Sequence, residues 1–294
     1  TPYWNNASYY IAGGTWSWQY SGGDLPTGDY LIVSRARDAA KNVQTIYQVG
    51  YASNTVTVDA DNPTSGLTKP NNDYYYKNLG TISGTASDNM AGDKVYVSIQ
   101  DLTRGTTFWS QTLGQWVNYS TYNAVSFAAN WTLPVGANNF TSGHRYRVKV
   151  YAVDLAQNAQ PEPDDTDGGT YNRTRYFYFD NTVLESRVTV PDNMSVRSEL
   201  LTISGTCNND PPPEGKPYSA GMGAGKIQVL VSKGGDALFW DNANKQWGAG
   251  QTWNDASQIG GGWTNWYFEI SSPTAFDNGV NYVIRSRAID GALD

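Results

Sequence analysis

A short pattern, Tyr-x5-Ala-x-Asp, occurs three times and constrains the fold more than any other feature of this 294-residue chain. Its copies begin at Tyr30, Tyr146 and Tyr282, and a glycine precedes each tyrosine by two or three positions. A pattern that returns at intervals of roughly 120 residues indicates tandem domains of one kind. The chain is therefore expected to be an array of related domains and not one large fold.

Two further landmarks repeat in the same order as this pattern. The sequence Thr-Ile-Ser-Gly-Thr starts at Thr81 and again at Thr202. Pairs of an aromatic residue and a tryptophan end at Trp4, Trp109 and Trp240. Because the landmarks always follow one another in the same order, they set the frame of each repeat.

The three copies differ in completeness. We predict a complete domain over residues 61–180, the C-terminal part of a domain over residues 1–60, and a domain lacking its last strand over residues 181–294. These ranges are called here the middle, first and third segments. The equivalents of the missing strand are residues 55–58 and 176–179. Two explanations stay open: the array continues beyond this stretch, or the first segment of one chain completes the third segment of another in a head-to-tail polymer.

Alternation with a period of two predicts β-strands. Tyr146, Val148 and Val150 fall on one face of the chain, while Arg147 and Lys149 fall on the other. Charged residues make up only 16% of the sequence, and its 30 glycines and 21 tyrosines are typical of short strands joined by turns. We therefore predict an all-β fold of tandem antiparallel β-sandwiches.

The residues around the repeated tyrosine resemble a known family. In residues 25–30 a tyrosine follows a Pro-Thr-Gly turn, as in the tyrosine corner at the start of strand F of immunoglobulin-like (Ig-like) domains. Residues 38–42 and 154–158 resemble the turn Asp-x-Ala-Gly-Asn of bacterial Ig-like repeats in large surface and adhesin proteins, with Lys41 or Gln157 in place of the glycine. This resemblance covers the whole chain and implies tandem Ig-like sandwiches at a bacterial cell surface.

Composition excludes several classes of protein. The net charge of −7 and the pI of about 4.7 leave no basic patch for nucleic acid. His144 is the only histidine, so a His-dependent triad and a two-histidine zinc site are excluded within one chain, and we expect His144 at the surface. Cys207 is the only cysteine, and we expect it to be a small core residue. No apolar stretch reaches the ~18 residues of a membrane span. The sequence thus predicts an extracellular or cell-surface bacterial protein that is not an enzyme.

Aspartates are concentrated where Ig-like topology places one domain against the next. The linker residues Asp59 and Asp61 are expected near Asp88 of the B–C connection and Asp154 of the F–G turn, and such oxygens suit Ca²⁺. The resemblance also implies calcium at domain junctions; no other cofactor is expected. The alternative is that the aspartate of the F–G turn only accepts backbone N–H bonds. The equivalent set at the second junction is Asp180, Asp210 and Asp290.

Tryptophan is unusually abundant, with 11 residues. Exposed indole rings could stack on sugars or pack at an interface between chains. The alternative is that they fill domain cores, since their positions repeat between copies. The candidates for a carbohydrate or interface role are Trp109, Trp116, Trp240, Trp247 and Trp253.

These observations predict a structural segment of an extracellular array, acting as a surface stalk, filament or adhesin. Its expected partners are adjacent repeats or neighbouring copies of the chain, with glycans or a host surface as further partners. The alternative function is a carbohydrate-binding accessory region of a secreted or surface enzyme.

Overall fold

The computed structural model describes residues 4–12, 15–165, 172–208, 225–272 and 275–291. Strands dominate this part of the chain. It contains one short 3₁₀ helix, Ala137–Asn139, and no helix long and apolar enough to cross a membrane. The strands of the first segment are β1 Ser8–Ala12, β2 Thr15–Gln19, β3 Gly28–Val33 and β4 Ser53–Val58.

Most of the remaining strands are short, as the glycine- and tyrosine-rich composition predicts. Those of the middle segment are β5 Thr64–Lys69, β6 Tyr74–Tyr76, β7 Thr81–Ser87, β8 Gly92–Asp101, β9 Thr107–Ser110, β10 Gln115–Val117, β11 Asn123–Ser126, β12 Asn130–Pro134, β13 His144–Asp154 and β14 Thr174–Phe179. Those of the third segment are β15 Ser186–Val190, β16 Thr202–Cys207, β17 Lys226–Lys233, β18 Leu238–Asp241, β19 Gln246–Gly248, β20 Asn254–Asp255, β21 Ser257–Ile259, β22 Gly262–Glu269 and β23 Tyr282–Ile289.

Two sheets face each other in the middle segment. One has the order β10-β9-β8-β13-β14-β6, with β11 also paired to β8, and the other has the order β12-β7-β5. The pairs are antiparallel except for β6 with β14, which is parallel. Between the sheets Ile82, Trp131, Val97, Val148 and Phe177 are almost fully buried. Burial of these apolar faces against each other is the main force that holds the sandwich together.

The third segment repeats this arrangement. Its sheets have the orders β15-β16-β22-β21 and β19-β18-β17-β20, with β23 also paired to β17. Ile203, Trp266, Ile227 and Val231 are buried between them. Among the described strands β23 pairs with β17 alone, whereas its counterpart β13 lies between β8 and β14. The fold is thus all-β, made of tandem Ig-like antiparallel β-sandwiches, which confirms the predicted fold class.

The first segment has the same strand pair without a covering sheet among the described residues. Strand β3 pairs with β4 as β13 pairs with β14. Ile32 and Val56 on this pair are 48% and 40% exposed. Trp18, the counterpart of the buried Trp131 and Trp266, is 55% exposed. The apolar pattern of a sandwich is therefore present in the first segment, while Ile32, Val56 and Trp18 are not buried by the residues that the structure describes.

The repeated tyrosine forms a corner in all three segments. The hydroxyl of Tyr30 donates to a backbone carbonyl, and those of Tyr146 and Tyr282 accept from backbone N–H groups. Tyr30 bonds Pro26 O at 2.8 Å, Tyr146 bonds Thr141 N at 2.8 Å, and Tyr282 bonds Asp277 N at 2.6 Å. Burial raises the pKa of Tyr146 to about 12. The corner fixes where strand F begins, and therefore where the aspartate at its other end lies.

A close approach explains the glycine of Thr-Ile-Ser-Gly-Thr. A Cβ atom on Gly84 would collide with the carbonyl oxygen of Gly66 on the neighbouring strand and with the indole of Trp131. The indole Nε1 of Trp131 also donates to Thr85 O at 3.0 Å. The same contacts recur at Gly205 with Trp266. Any larger residue would push the tryptophan out of the core, so the motif and the buried tryptophan belong to one structural unit.

Candidate metal centre at the first junction

Three of the predicted aspartates meet where the first segment joins the middle segment. Asp59 follows β4, Asp88 follows β7, and Asp154 is the last residue of β13. One carboxylate oxygen from each residue lies within 4.8 Å of those of the other two. Three negative charges this close repel one another unless a cation or hydrogen-bond donors compensate.

Asp154 is fully buried and closes the F–G turn. Its Oδ1 accepts the backbone N–H of Asn158 at 2.8 Å, and its Oδ2 accepts from the Asn158 side-chain amide at 2.8 Å. Asp38 and Asn42 form the same two bonds in the first segment, and the Asn42 side chain holds the pKa of Asp38 below its ordinary value. The turn chemistry expected from the sequence is therefore present in both copies.

The linker is attached directly to this turn. The Asn158 amide that bonds Asp154 also donates to the backbone carbonyl of Asp59 at 3.0 Å. Asp59 Oδ1 accepts the N–H of Asp61 at 3.2 Å, and Asp61 Oδ2 accepts from the Asn89 amide at 2.9 Å. Asp61 thus lies beside the three-carboxylate group and ties the linker to the B–C connection.

Asp88 distinguishes this group from a set of ordinary turn aspartates. Both of its carboxylate oxygens are shielded from solvent, and neither has a hydrogen-bond partner among the described residues. Leaving a charged carboxylate buried and unpaired costs on the order of several kcal/mol. The neighbouring oxygens of Asp59 and Asp154 raise this cost, whereas a divalent cation would remove it. The donor set is entirely oxygen, which fits Ca²⁺ in preference to softer metals.

The second junction is held by different contacts. Asp180 is buried, and its Oδ1 accepts from the Ser142 hydroxyl and from the Thr182 N–H, each at 2.9 Å. Ser142 also accepts the N–H of Asn181 at 3.2 Å. Of the other two aspartates predicted there, Asp290 lies just past β23 and Asp210 falls outside the described residues. In the described ranges, the group at the first junction is the one set of three carboxylates placed to share an ion.

Four of the five candidate tryptophans pack against domain cores. Trp109 and Trp240 are 3% and 2% exposed. Trp116 and Trp247 are partly buried, and each packs edge-on or tilted against one of those two rings. These four side chains offer little ring surface to a sugar. Trp253 has the same intermediate burial as Trp116 and Trp247, but it lies at the edge of a surface hollow.

His144 is not a surface residue, contrary to the expectation. Its Nδ1 lies 2.8 Å from Oδ2 of the fully buried Asp101. Asp101 also accepts the N–H groups of Thr103 and Arg104 at 3.0 and 3.2 Å. The pairing of β13 with β8 brings these residues together, and their wide separation in the sequence gave no signal of it.

Comparisons with known proteins place these features beside a few solved structures. No protein-family model and no curated protein sequence matches the chain. A tetra-tandem repeat from the extending region of a large adhesion protein is 15% identical, with 96% of this chain and 62% of that one covered and a TM-score of 0.29. A Ca²⁺-stabilized adhesin, which helps an Antarctic bacterium bind ice, is 15% identical, with 90% and 57% covered and a TM-score of 0.28.

Another matching solved structure comes from chicken. Three FN domains of chicken CNTN1 are 12% identical, with 97% of this chain and 83% of that one covered and a TM-score of 0.34. The chain spans less than two thirds of the length of the two adhesin structures. The fold assignment rests on the sheets and cores described above.

Proposed function

We propose that this chain is a structural segment of an extracellular, surface-attached array of Ig-like domains, as in an adhesin or stalk. In this proposal residues 1–60, 61–180 and 181–294 belong to three successive domains. The observation that supports it is the bonding of the linkers to neighbouring turns: Asn158 of the middle segment holds Asp59 across the first junction, and Ser142 holds Asp180 at the end of the middle segment itself. Domains fixed end to end in this way give length and limit bending, and no catalytic constellation is needed for that role.

Calcium is the proposed stiffening element of the first junction. Asp59, Asp88 and Asp154 would hold the ion, with Asp61 adjacent to it. The orphaned carboxylate of Asp88 is the observation that carries this step. A bound Ca²⁺ supplies the positive charge that lets three carboxylates share one small volume.

The position of the proposed ion would stiffen the first junction. Asp59 belongs to the end of the first segment, whereas Asp88 and Asp154 belong to two loops of the middle segment. An ion held by all three crosses the junction and joins the last strand of one domain to the next domain. Without it, the repulsion among the carboxylates opposes the bond between Asp59 O and Asn158. At the second junction Asp180 is held by Ser142 of its own segment and by the N–H of Thr182 in the linker, and the predicted Asp210 lies outside the described residues.

The test is a calcium titration of the whole chain after treatment with a chelator. We expect one tight site and a rise in the melting temperature, since a ligand at 100 times its Kd stabilises the folded state by about 2.7 kcal/mol. The variant Asp88→Asn should lose this response, and it should melt higher than the wild type without calcium because the orphaned charge is gone.

The matched control is Asp192→Asn, an exposed aspartate far from the junction along the chain. It should respond to calcium as the wild type does. A wild-type chain that neither binds calcium nor changes its melting temperature would refute the calcium step. An unchanged response in Asp88→Asn would place the ion elsewhere.

A further inference from the structure

A polar hollow of about 560 Å³ lies on the third segment, outside both junctions. Its wall includes the half-buried indole of Trp253, which directly precedes β20. Lys226, Asp241 and Asp255 bring charged groups to the same hollow, and Gln228 lies beneath them. An aromatic ring with a few convergent polar groups is the usual composition of a small-molecule site.

A network of side chains holds the Trp253 ring in place. The Arg287 guanidinium lies 4.2 Å from the ring centroid. Its Nε and Nη2 donate to Gln228 Oε1 at 2.9 and 2.6 Å, and Gln228 Nε2 donates to Asp255 Oδ1 at 2.6 Å. Lys226 Nζ donates to Asp255 Oδ2 at 3.1 Å, which completes this series of hydrogen bonds. A ring fixed in this way loses little conformational entropy when a ligand stacks on it.

Charged groups of both signs surround the hollow. Lys226, Asp241 and Asp255 line it, and Arg287, which lies outside the lining against the Trp253 ring, offsets the second carboxylate. The carboxylate of Asp255 is lowered in pKa by its bond from Gln228 and then by Lys226, which keeps it an acceptor. Its side chain is 58% exposed and can still accept further hydrogen bonds. A balanced site of this kind favours a neutral ligand rich in hydroxyl groups over an anion or a cation.

An aromatic cluster occupies the equivalent place on the middle segment. The buried Asn123 and Asn254 are equivalent, because each donates to the carbonyl oxygens of two neighbouring strands. The residue before Asn123 is Tyr122, which corresponds to Trp253. Tyr122 packs edge-on against Tyr151 with ring centroids 5.0 Å apart. The middle and third segments thus carry an aromatic side chain at the equivalent position.

We propose that Trp253 forms the platform of a binding site for a neutral saccharide, a property that goes beyond the structural role argued above. The indole would stack on the C–H face of a sugar ring, whose hydroxyl groups would bond Asp255 and Lys226. Such a site would let the array bind lengthwise to a polysaccharide surface.

The test is native affinity electrophoresis of the whole chain through gels containing a soluble neutral polysaccharide. The panel is a β-glucan, a mannan, a xylan and a dextran, with heparin as the charged comparator. We expect at least one neutral polymer to retard the wild type and Trp253→Ala to bind it about tenfold more weakly or worse, as for a central aromatic contact. The control Trp18→Ala removes an exposed tryptophan elsewhere and should be retarded normally.

A second variant keeps the proposal testable if Trp253→Ala folds poorly. Asp255→Ala removes an exposed acceptor without touching the ring, and it should also weaken retardation. No retardation by any neutral polymer, retardation by heparin alone, or normal retardation of both site variants would overturn the proposal.

Discussion

The two junctions are built from the same repeated landmarks, yet the structure connects them differently. At the first, Asp59, Asp88 and Asp154 bring three carboxylates together, and Asp88 has no hydrogen-bond partner in the described part of the chain. At the second, Asp180 is the counterpart of Asp59 and is satisfied by a hydroxyl and a backbone N–H. By spacing from Thr-Ile-Ser-Gly-Thr the counterpart of Asp88 is Asn209, next to the predicted Asp210, and both residues lie outside the described part of the chain. Under the proposal the first junction depends on an ion, whereas the described contacts of Asp180 at the second junction are hydrogen bonds.

The largest effect is expected at Asp154, which belongs both to the F–G turn and to the proposed calcium site. Asp154→Ala should abolish calcium binding and destabilise the middle segment by about 3 kcal/mol, because it removes a buried charged acceptor of two hydrogen bonds. Asp38→Ala breaks the same turn where no ion is proposed. It should leave calcium binding unchanged. Calorimetry with and without calcium measures both calcium binding and stability. Equal losses of calcium binding in the two variants would contradict the assignment of the ion to Asp154.

A smaller effect should come from the hydroxyl groups that hold the linkers. Ser142→Ala should cost about 1–2 kcal/mol with or without calcium, since it removes a donor to buried Asp180. Its counterpart Thr27 accepts the N–H of Ala60 at 3.0 Å in an exposed setting, so Thr27→Ala should cost less. Denaturant unfolding in calcium and in chelator checks this order. A calcium-dependent loss in Ser142→Ala would show that the second junction also relies on an ion.

Much of the fold was readable from the sequence because it depends on local rules. Period-two alternation identifies β13, and the spacing of glycine and tyrosine identifies the corner. Gly84 is required by close packing that the repeated motif already marks. The meeting of Asp59 with Asp88 and Asp154 followed from Ig-like topology, which brings those loops together at one end.

Contacts that depend on lateral strand pairing gave no comparable signal. His144 bonds Asp101 because β13 and β8 pair in one register, and Arg287 lies against the Trp253 ring because β23 pairs with β17. The burial of Trp109 and Trp240 likewise depends on which face of a short strand turns inward. That no described residue bonds the Asp88 carboxylate is a property of three-dimensional packing, and no residue pattern reveals it.

Distances across each junction test the central claim most directly. With Cys207 replaced by serine, spin labels on the exposed strand positions Thr57 and Thr132 span the first junction, and labels on Thr132 and Thr189 span the second. Double electron–electron resonance should show the first distance distribution narrowing when calcium is added, with the second unchanged. A first distribution that calcium does not alter, or equal narrowing at both junctions, would contradict the account.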